Sequence, residues 1–391
     1  MPIVLLCCDY FLPGFKAGGP IHSISGIVEC LGDDLSFRII TRDRDLGDQE
    51  PYSNILQGEW NPVGKAWVRY LSEANRFKEC IHLLNTMNYD ILYLNSFFSP
   101  RFSILPLLLM RIGLVKSVPI IIAPRGEFSP GHLSLKPVKY FIYIGAAKIL
   151  KLYRNVIWHA STEDERADIV RIFGQSARVW VASDIASYPA GESNDTAFCV
   201  KRPGELKAIF LGRMAPQKNL RFALELLSGL KGNIVLDIYG PVDNSKYWNV
   251  CRNVIREIPT NVKVHYWGEI PHSDVYGCFS EHHVFLFPTL GENFGHVIIE
   301  SLSAGCPVLI SDQTPWCNLE AEGVGWDISL GKKELFRSKI VELLDMDQEK
   351  FNELSSNARG FARRKLSDPD VIKMNKALFT IDGGAQESEG A

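Results

Sequence analysis

The stretch PTLGENFGHVIIESLSAGCPVLIS, residues 288–311, decides how this chain is read. The runs VFLF (284–287) and PVLI (307–310) are short, apolar and β-rich, bounded by Pro and Gly, and are predicted as buried strands. Between them Val297 to Ala304 is an apolar segment that stops at Gly305, predicted as a helix with a glycine C-cap. The unit is therefore strand, loop, helix, strand. Glu292 falls in the loop, and Glu300 lies within a helix that carries no other charge.

The same alternation extends outward over almost the whole chain. The first half offers strands at 3–8, 37–41, 90–95, 118–123, 156–160 and 177–182, with amphipathic stretches such as 75–87 and 162–174 between them. The latter opens at Thr162 with an acidic first turn and stops at Gly174, a well-signalled helix. A second series follows at 206–212, 233–240, 262–268, 283–288, 306–311 and 324–329, then helices at about 332–345, 348–365 and 368–379. Near-continuously apolar strands alternating with helices indicate parallel sheets covered on both faces. The fold class is α/β, with two doubly wound domains: 1–190 and 205–365. The stretch 186–206, rich in Pro, Gly, Ser and charge, is predicted as the interdomain linker, and 381–391 as a disordered polar tail. Ligands of such sheets bind beyond the strands' carboxyl ends, which places the expected site in a cleft between two facing sheets.

Composition narrows the function. The chain has 391 residues, 46% apolar and 22% charged, with a net charge of −3. It lacks the basic excess usual for nucleic-acid binders. Nine cysteines form neither a CxxC pair nor a zinc spacing, which suits free thiols in a reducing cytoplasm. The opening MPIVLLCCDYF has no basic n-region and reads as a first strand rather than a signal peptide. ILPLLLM (104–110), ended by Arg111, is too short to span a bilayer.

Four places at strand ends carry chemistry. Strand 206–212 runs into GRMAPQKN, where Arg213 and Lys218 suit a diphosphate through forked and point-charge contacts; the bland alternative is a pair of solvated surface cations. The ENFG stretch ends where a helix begins, so its amides attract an anion and Gly295 permits close approach of a phosphate. Glu300, deeper in that helix, can accept from two ribose hydroxyls; the alternative is a polar strip with His296 and Ser303 facing water. Strand 3–8 feeds a loop ending in Gly18 and Gly19 before an amphipathic helix, a place for backbone amides to touch phosphate or sugar, or else an ordinary turn. Strand 118–123 is followed by Arg125 and Glu127.

Taken together, E-N-F-G-x4-E, G-R-M-x3-K upstream and the Gly-Gly loop after the first strand resemble the retaining GT-B glycosyltransferases of family 4, the glycosyl transferases group 1. The resemblance runs the length of the chain and implies two Rossmann-like domains facing across a cleft, acceptor side first and donor side second. It also implies a last helix, 366–380, that completes the first domain. Under it, Arg213 and Lys218 hold the donor diphosphate, Glu300 the ribose, and Glu292 the transferred sugar. The amides of Asn293, Phe294 and Gly295 lie near sugar and phosphate, and Gly18 and Gly19 approach the donor from the first domain. Where many members carry a histidine on the acceptor or sugar side, this chain has Arg125-Gly126-Glu127. The implied activity is transfer from a nucleoside-diphosphate sugar to a hydroxyl of a glycan or polyprenyl-linked glycan, most often toward lipopolysaccharide or capsule.

No side chain stands out as a covalent nucleophile, which favours same-face attack with the leaving phosphate accepting the acceptor's proton. Cations that already neutralise the diphosphate make a metal unnecessary. The D-x-D pairs Asp43/Asp45 and Asp345/Asp347 lie after an early strand and at a helix end and are read as structural. A glycoside hydrolase using Glu292 and Glu300 would leave Arg213 and Lys218 idle. A nicotinamide enzyme would need a GxGxxG that neither first strand offers. An epimerase or hydrolase of the same fold, or a non-catalytic sugar-nucleotide-binding relative, stays open. Residues 135–158 mix five Lys and Arg with aromatics and suit an anionic membrane surface, the cytoplasmic face of the inner membrane; the alternative is an ordinary sheet-covering helix with snorkelling lysines.

Overall fold

The structure, a computed structural model, describes residues 1–134, 136–186 and 199–380, and these divide into two units. The first comprises residues 1–186 with 369–380, the second residues 199–368. The expected linker centre and the expected disordered tail both fall outside the described residues.

The first unit is built on an eight-stranded sheet: β1 (Ile3–Cys8), β2 (Ser36–Arg42), β3 (Trp60–Val63), β4 (Ala66–Leu71), β5 (Ile91–Asn95), β6 (Ile120–Ala123), β7 (Ile157–Ala160) and β8 (Arg178–Val181), in the order β3-β4-β2-β1-β5-β6-β7-β8. Every neighbouring pair is parallel except β3 with β4. Alternate residues of β1 serve opposite faces: Leu5 and Cys7 join one core, Val4, Leu6 and Cys8 the other. The first core is aromatic, with Phe97 packed within 6.0 Å of Phe128, Tyr153 and Trp158. The second is closed by the chain's last described helix, Pro369–Leu378, and the residue after it: Phe379 stacks on Tyr93 at 5.7 Å and meets Phe37 edge-on at 6.0 Å.

The β3–β4 hairpin was not among the sequence expectations. Its first strand, WNPV, contains Pro62 and is only four residues long, signals that argue against a strand except at a sheet edge, where this one lies.

In the second unit, β9 (Glu205–Leu211), β10 (Asn233–Tyr239), β11 (Val262–Gly268), β12 (Val284–Phe287), β13 (Val308–Ser311) and β14 (Gly325–Ile328) form a parallel sheet in the order β11-β10-β9-β12-β13-β14. The first and fourth strands are neighbours, so connections leave β9 and β12 in opposite directions. That switch point opens a crevice at the strands' carboxyl ends. Beside it, Gly240 packs against the backbone after β9: a Cβ there would lie 2.1 Å from the Gly212 carbonyl oxygen, at a φ of +129°. Among the described residues no helix is long and apolar enough to cross a membrane.

Two measurements follow. Gly240→Ala is expected to destabilise the protein by about 3 kcal/mol or more, whereas Gly277→Ala, in a helix with nothing within 4 Å of the added carbon, should stabilise by about 0.5–1 kcal/mol; thermal melts read both. His283 is buried, accepts from Lys207 N at 2.9 Å through Nδ1 and donates through Nε2 to Val200 O, and burial lowers its pKa from 6.5 to about 4. The unfolded chain takes up that proton first, so its contribution is complete above pH 6.5 and is lost as pH falls toward about 4. His283→Asn should lower stability at about pH 7 yet flatten the decline toward about pH 5, in chemical denaturation at the two values.

Candidate functional site

The loops leaving β9 and β12 meet at the switch point of the second unit. After β9, Ala215 to Asn219 form a short 3-10 turn that ends with Asn219 left-handed at φ 58°. Its side chain donates to Pro288 O at 2.9 Å. Gln217 adds two ties: its amide nitrogen donates to Gly291 O, and its carbonyl accepts from Leu290 N at 2.8 Å. The turn thereby holds Lys218 with its Nζ 2.6 Å from Glu292 Oε1 and 5.4 Å from the Phe287 ring centroid.

Glu292 is fixed from several sides. Thr289 Oγ1 donates to the same Oε1 at 2.9 Å, and Glu292 N donates to Gln313 O in the loop after β13. Both side chains of the ion pair are mostly covered, Lys218 at 16% and Glu292 at 11% exposure. Trp316, from the same loop as Gln313, donates its indole N–H to Phe294 O at 2.5 Å and packs against the Phe294 ring. Gly295 then enters the helix His296–Ser303 at φ 81°, a conformation that favours glycine. The segment 289–295 is thus a pinned backbone that delivers its amides to a helix start.

Glu300 sits in that helix with its side chain 16% exposed and its Oε1 3.2 Å from His272 Nε2. The bond to Glu300 raises the His272 pKa above its ordinary value, with burial opposing. His296 and Ser303 are both buried, so the solvent-facing polar strip weighed as an alternative is not what the helix presents. His272 was missed by sequence reasoning. It stands at the first turn of the helix His272–Ser280, and only the packing of that helix on His296–Ser303 brings it to Glu300.

Arg213, expected beside Lys218, forms a half-exposed pair with Asp243 at 3.4 Å instead. Its backbone neighbours are fixed, Met214 N donating to Pro241 O and Asn244 N to Met214 O.

In the first unit the corresponding switch point lies between β1 and β5. Gly18, at φ 66°, and Gly19 start the helix Gly19–Leu31. Asp45 holds the loop before them, accepting from Phe15 N at 2.7 Å and Lys16 N at 3.1 Å. The D-x-D pairs are therefore engaged with the chain itself: Asp43 pairs with Arg44, and Asp347 caps the helix Gln348–Leu366 by accepting from Lys350 N.

Arg125 and Glu127, expected on the acceptor or sugar side, are both partly covered and bonded to the chain itself. The Arg125 side chain is 6% exposed; it pairs with Asp184 and donates to Asn95 Oδ1 and Tyr93 Oη, each at 2.8 Å. Burial works against its charge, and Asp184 beside it holds the pKa above the ordinary value. Tyr93 in turn meets His159 Nδ1 at 2.7 Å, and Ser23 of the Gly18–Gly19 helix donates to Asp184 at 2.6 Å. The guanidinium is the hub of a buried network joining the ends of β5, β7 and β8 to that helix. Glu127 accepts from Ser96 Oγ and from the amides of Phe97 and Phe98, shaping the turn after β5. Burial pushes its carboxyl up to about 7 against those hydrogen bonds.

Residues 194–361 match the family described as Glycosyl transferases group 1. Among curated proteins, the O-antigen chain mannosyltransferase B of Escherichia coli is 26% identical over 161 residues, 38% of this chain and 41% of that protein. A 41.2 kDa protein in the cps region of Klebsiella pneumoniae is 24% identical over 181 residues, 45% of this chain and 46% of its own length. The chain thus spans less than half the length of the curated relatives it matches. Solved structures align far more completely. Sucrose-phosphate synthase from Thermosynechococcus elongatus covers 97% of this chain and 98% of its own, with a TM-score of 0.66 at 14% identity. The Anabaena protein HepE in complex with UDP-glucose covers 97% and 100%, also at 0.66 and 14%. At such identity the likeness speaks for the fold. This chain has the GT-B fold of two Rossmann-like units, and its match to the glycosyl transferases group 1 family falls on the second.

Proposed function

We propose that this chain is a retaining glycosyltransferase that moves a sugar from a nucleoside-diphosphate sugar to a hydroxyl of a glycan or polyprenyl-linked glycan. The Lys218–Glu292 pair at the β9/β12 switch point carries the reading, because it joins a cation and a carboxylate where a parallel sheet receives its ligand. An ammonium has three donors, and Glu292 takes one, so Lys218 can keep its partner while reaching a phosphate oxygen. The pair is neutral as a whole. Arg213 and the amides of Asn293, Phe294 and Gly295 are therefore assigned the remaining charge of the diphosphate. Among the described residues both side-chain hydrogen bonds of Glu292 fall on Oε1, which leaves Oε2 to accept from a hydroxyl of the transferred sugar. Glu300, with His272 behind it, takes the ribose.

In the transition state, negative charge grows on the departing diphosphate. A preorganised cation already held at 2.6 Å by its counter-ion meets that charge without reorganising. The leaving phosphate takes the acceptor's proton on the same face, no metal is needed, and the anomeric configuration is kept. The similarity to the O-antigen chain mannosyltransferase B of Escherichia coli supports a place in surface-polysaccharide synthesis; the cytoplasmic face of the membrane is the proposed location. An epimerase, hydrolase or non-catalytic binder of this fold is the second reading.

Incubation with UDP-, GDP- and ADP-sugars, with and without acceptor glycans, tests the proposal: nucleoside diphosphate should appear only when acceptor is present, and activity should survive a chelator. Release without acceptor favours the second reading. Lys218→Ala should lower kcat/KM by about 100- to 1,000-fold, with Arg213→Ala acting in the same direction; unchanged turnover in both would exclude the assignment. Glu300→Ala should raise the donor KM about tenfold or more with a smaller effect on kcat, since it removes a bond made equally before and during reaction.

A further inference from the structure

We infer that one face of the first unit docks on an anionic lipid bilayer, the outer side of the helix Pro137–Ile149 entering the headgroup region while cations in a groove at its C-terminal end take lipid phosphates. This deepens the membrane location in the reading above, but it rests on residues that the nucleotide assignment does not use.

The helix is apolar on the wrong side for a soluble protein. Its inner side, Tyr143, Ile144 and Ala147, packs on the aromatic core, and Ala147 is its one fully buried residue. Outward stand Val138, Phe141, Ile142 and Ile149, each between 63% and 82% exposed. At 3.6 residues per turn these four share an arc of about 100°, with Lys139 and Lys148 on its two borders. An ordinary sheet-covering helix would turn lysines outward and apolar groups inward. Here both broad sides are apolar and the lysines edge the outer one, the arrangement of an interfacial helix with snorkelling cations. Leu150, 68% exposed, continues the patch past the helix end.

The charge beside this patch is one-sided. From residue 91 to 162 the sequence holds nine Lys and Arg against one acid, Glu127, which is bound to its own turn, in a chain whose net charge is −3. Next to Ile149 and Leu150 lies a groove of about 730 Å³ whose cationic walls are Lys148, Lys151, Arg154, Arg171 and Arg178, over Tyr153, Trp158 and Phe173. Among the described residues no acidic side chain lines it, and of the five cations Arg171 is held by Asp168 at 2.7 Å. Val156 and Arg178 stand at the starts of β7 and β8, so the groove opens at the amino ends of the strands, the edge opposite the Gly18–Gly19 turn.

A soluble phosphate compound would satisfy the groove and leave the apolar arc in water, and a nucleic acid offers that arc no apolar phase. An anionic bilayer supplies phosphate and hydrocarbon side by side.

Co-sedimentation of the full chain with vesicles tests this, without donor or acceptor. Binding is expected to vesicles of phosphatidylcholine mixed with phosphatidylglycerol, weakened by salt, and absent from phosphatidylcholine alone. The triple change Lys148→Glu, Lys151→Glu, Arg154→Glu should weaken it by about a hundredfold or more. Phe141→Ser with Ile149→Ser should abolish the part that resists salt, with melting temperatures kept because all five positions are exposed. Equal binding to neutral vesicles, or retention by the charge-reversed variant, would overturn the inference. So would failure to bind vesicles while glycerol phosphate raises the melting temperature through the same lysines, or sedimentation velocity showing self-association that the two serine changes dissolve. Transfer activity in a chain that ignores vesicles would refute docking and leave the proposed function standing; docking by a Lys218→Ala variant without turnover is the expected separation.

Discussion

The second unit depends on a constraint of topology: its first and fourth strands are neighbours, so the two loops that leave them must part at the same edge of the sheet. Loops parting in opposite directions leave a gap, and a gap needs something to span it. Lys218 from one side and Glu292 from the other do so, in a setting where Gln217 and Asn219 fix one loop to the other through backbone carbonyls. The ion pair is weak as a source of stability, because covering two charges costs about what their attraction returns. Its significance is geometric: it sets a cation and an acceptor oxygen at a fixed separation before any ligand arrives. The Trp316 and Gln313 contacts extend that rigidity to the helix that holds Glu300.

Much of this could be read from the chain itself, because the informative positions act locally. Thr162 caps its helix by accepting from Glu165 N and Gly174 ends it at φ 89°, choices made by a residue and its near neighbours. The placing of Lys218 and Glu292 in loops at strand ends was legible because each follows a strongly apolar strand. What stayed hidden required distance. AWVRYL alternates buried and exposed positions as a strand should, yet the Pro in its partner WNPV masked the hairpin. The His272–Glu300 contact depends on how two helices pack, and no spacing in the sequence encodes it. The partner of Arg125 stayed hidden for a related reason. A guanidinium at a strand's carboxyl end looks available for a substrate until Asp184, 59 residues on, is found waiting for it.

That buried hub gives the first unit a different character from the second. Arg125, Asp184, Tyr93, His159 and Ser23 form a chain in which every member accepts or donates to another. Hydrogen-bond order fixes the His159 form: Nε2 donates to Ala182 O, so Nδ1 receives the Tyr93 hydroxyl, and Tyr93 oxygen receives Arg125. Burial keeps the imidazole neutral, its pKa lowered to about 4. Removing one member leaves the others desolvated without partners, which makes such a network costly to break and specific in geometry. It stands under the start of the Gly19–Leu31 helix, so the orientation of the Gly18–Gly19 turn is inherited from polar groups that never meet solvent.

The helix Pro369–Leu378 belongs to the first unit although the whole of the second precedes it. In genetic terms the second unit is an insertion, and the first is a discontinuous domain. A ribosome working from the amino end releases all of the second unit before it supplies Phe379, Leu378 and Asn375, which the first unit needs to close its core and to satisfy Ser183 O. The usual order, in which the earlier domain matures first, is therefore reversed. The later-encoded half can reach its native state while the earlier half waits, incomplete, for the helix Pro369–Leu378.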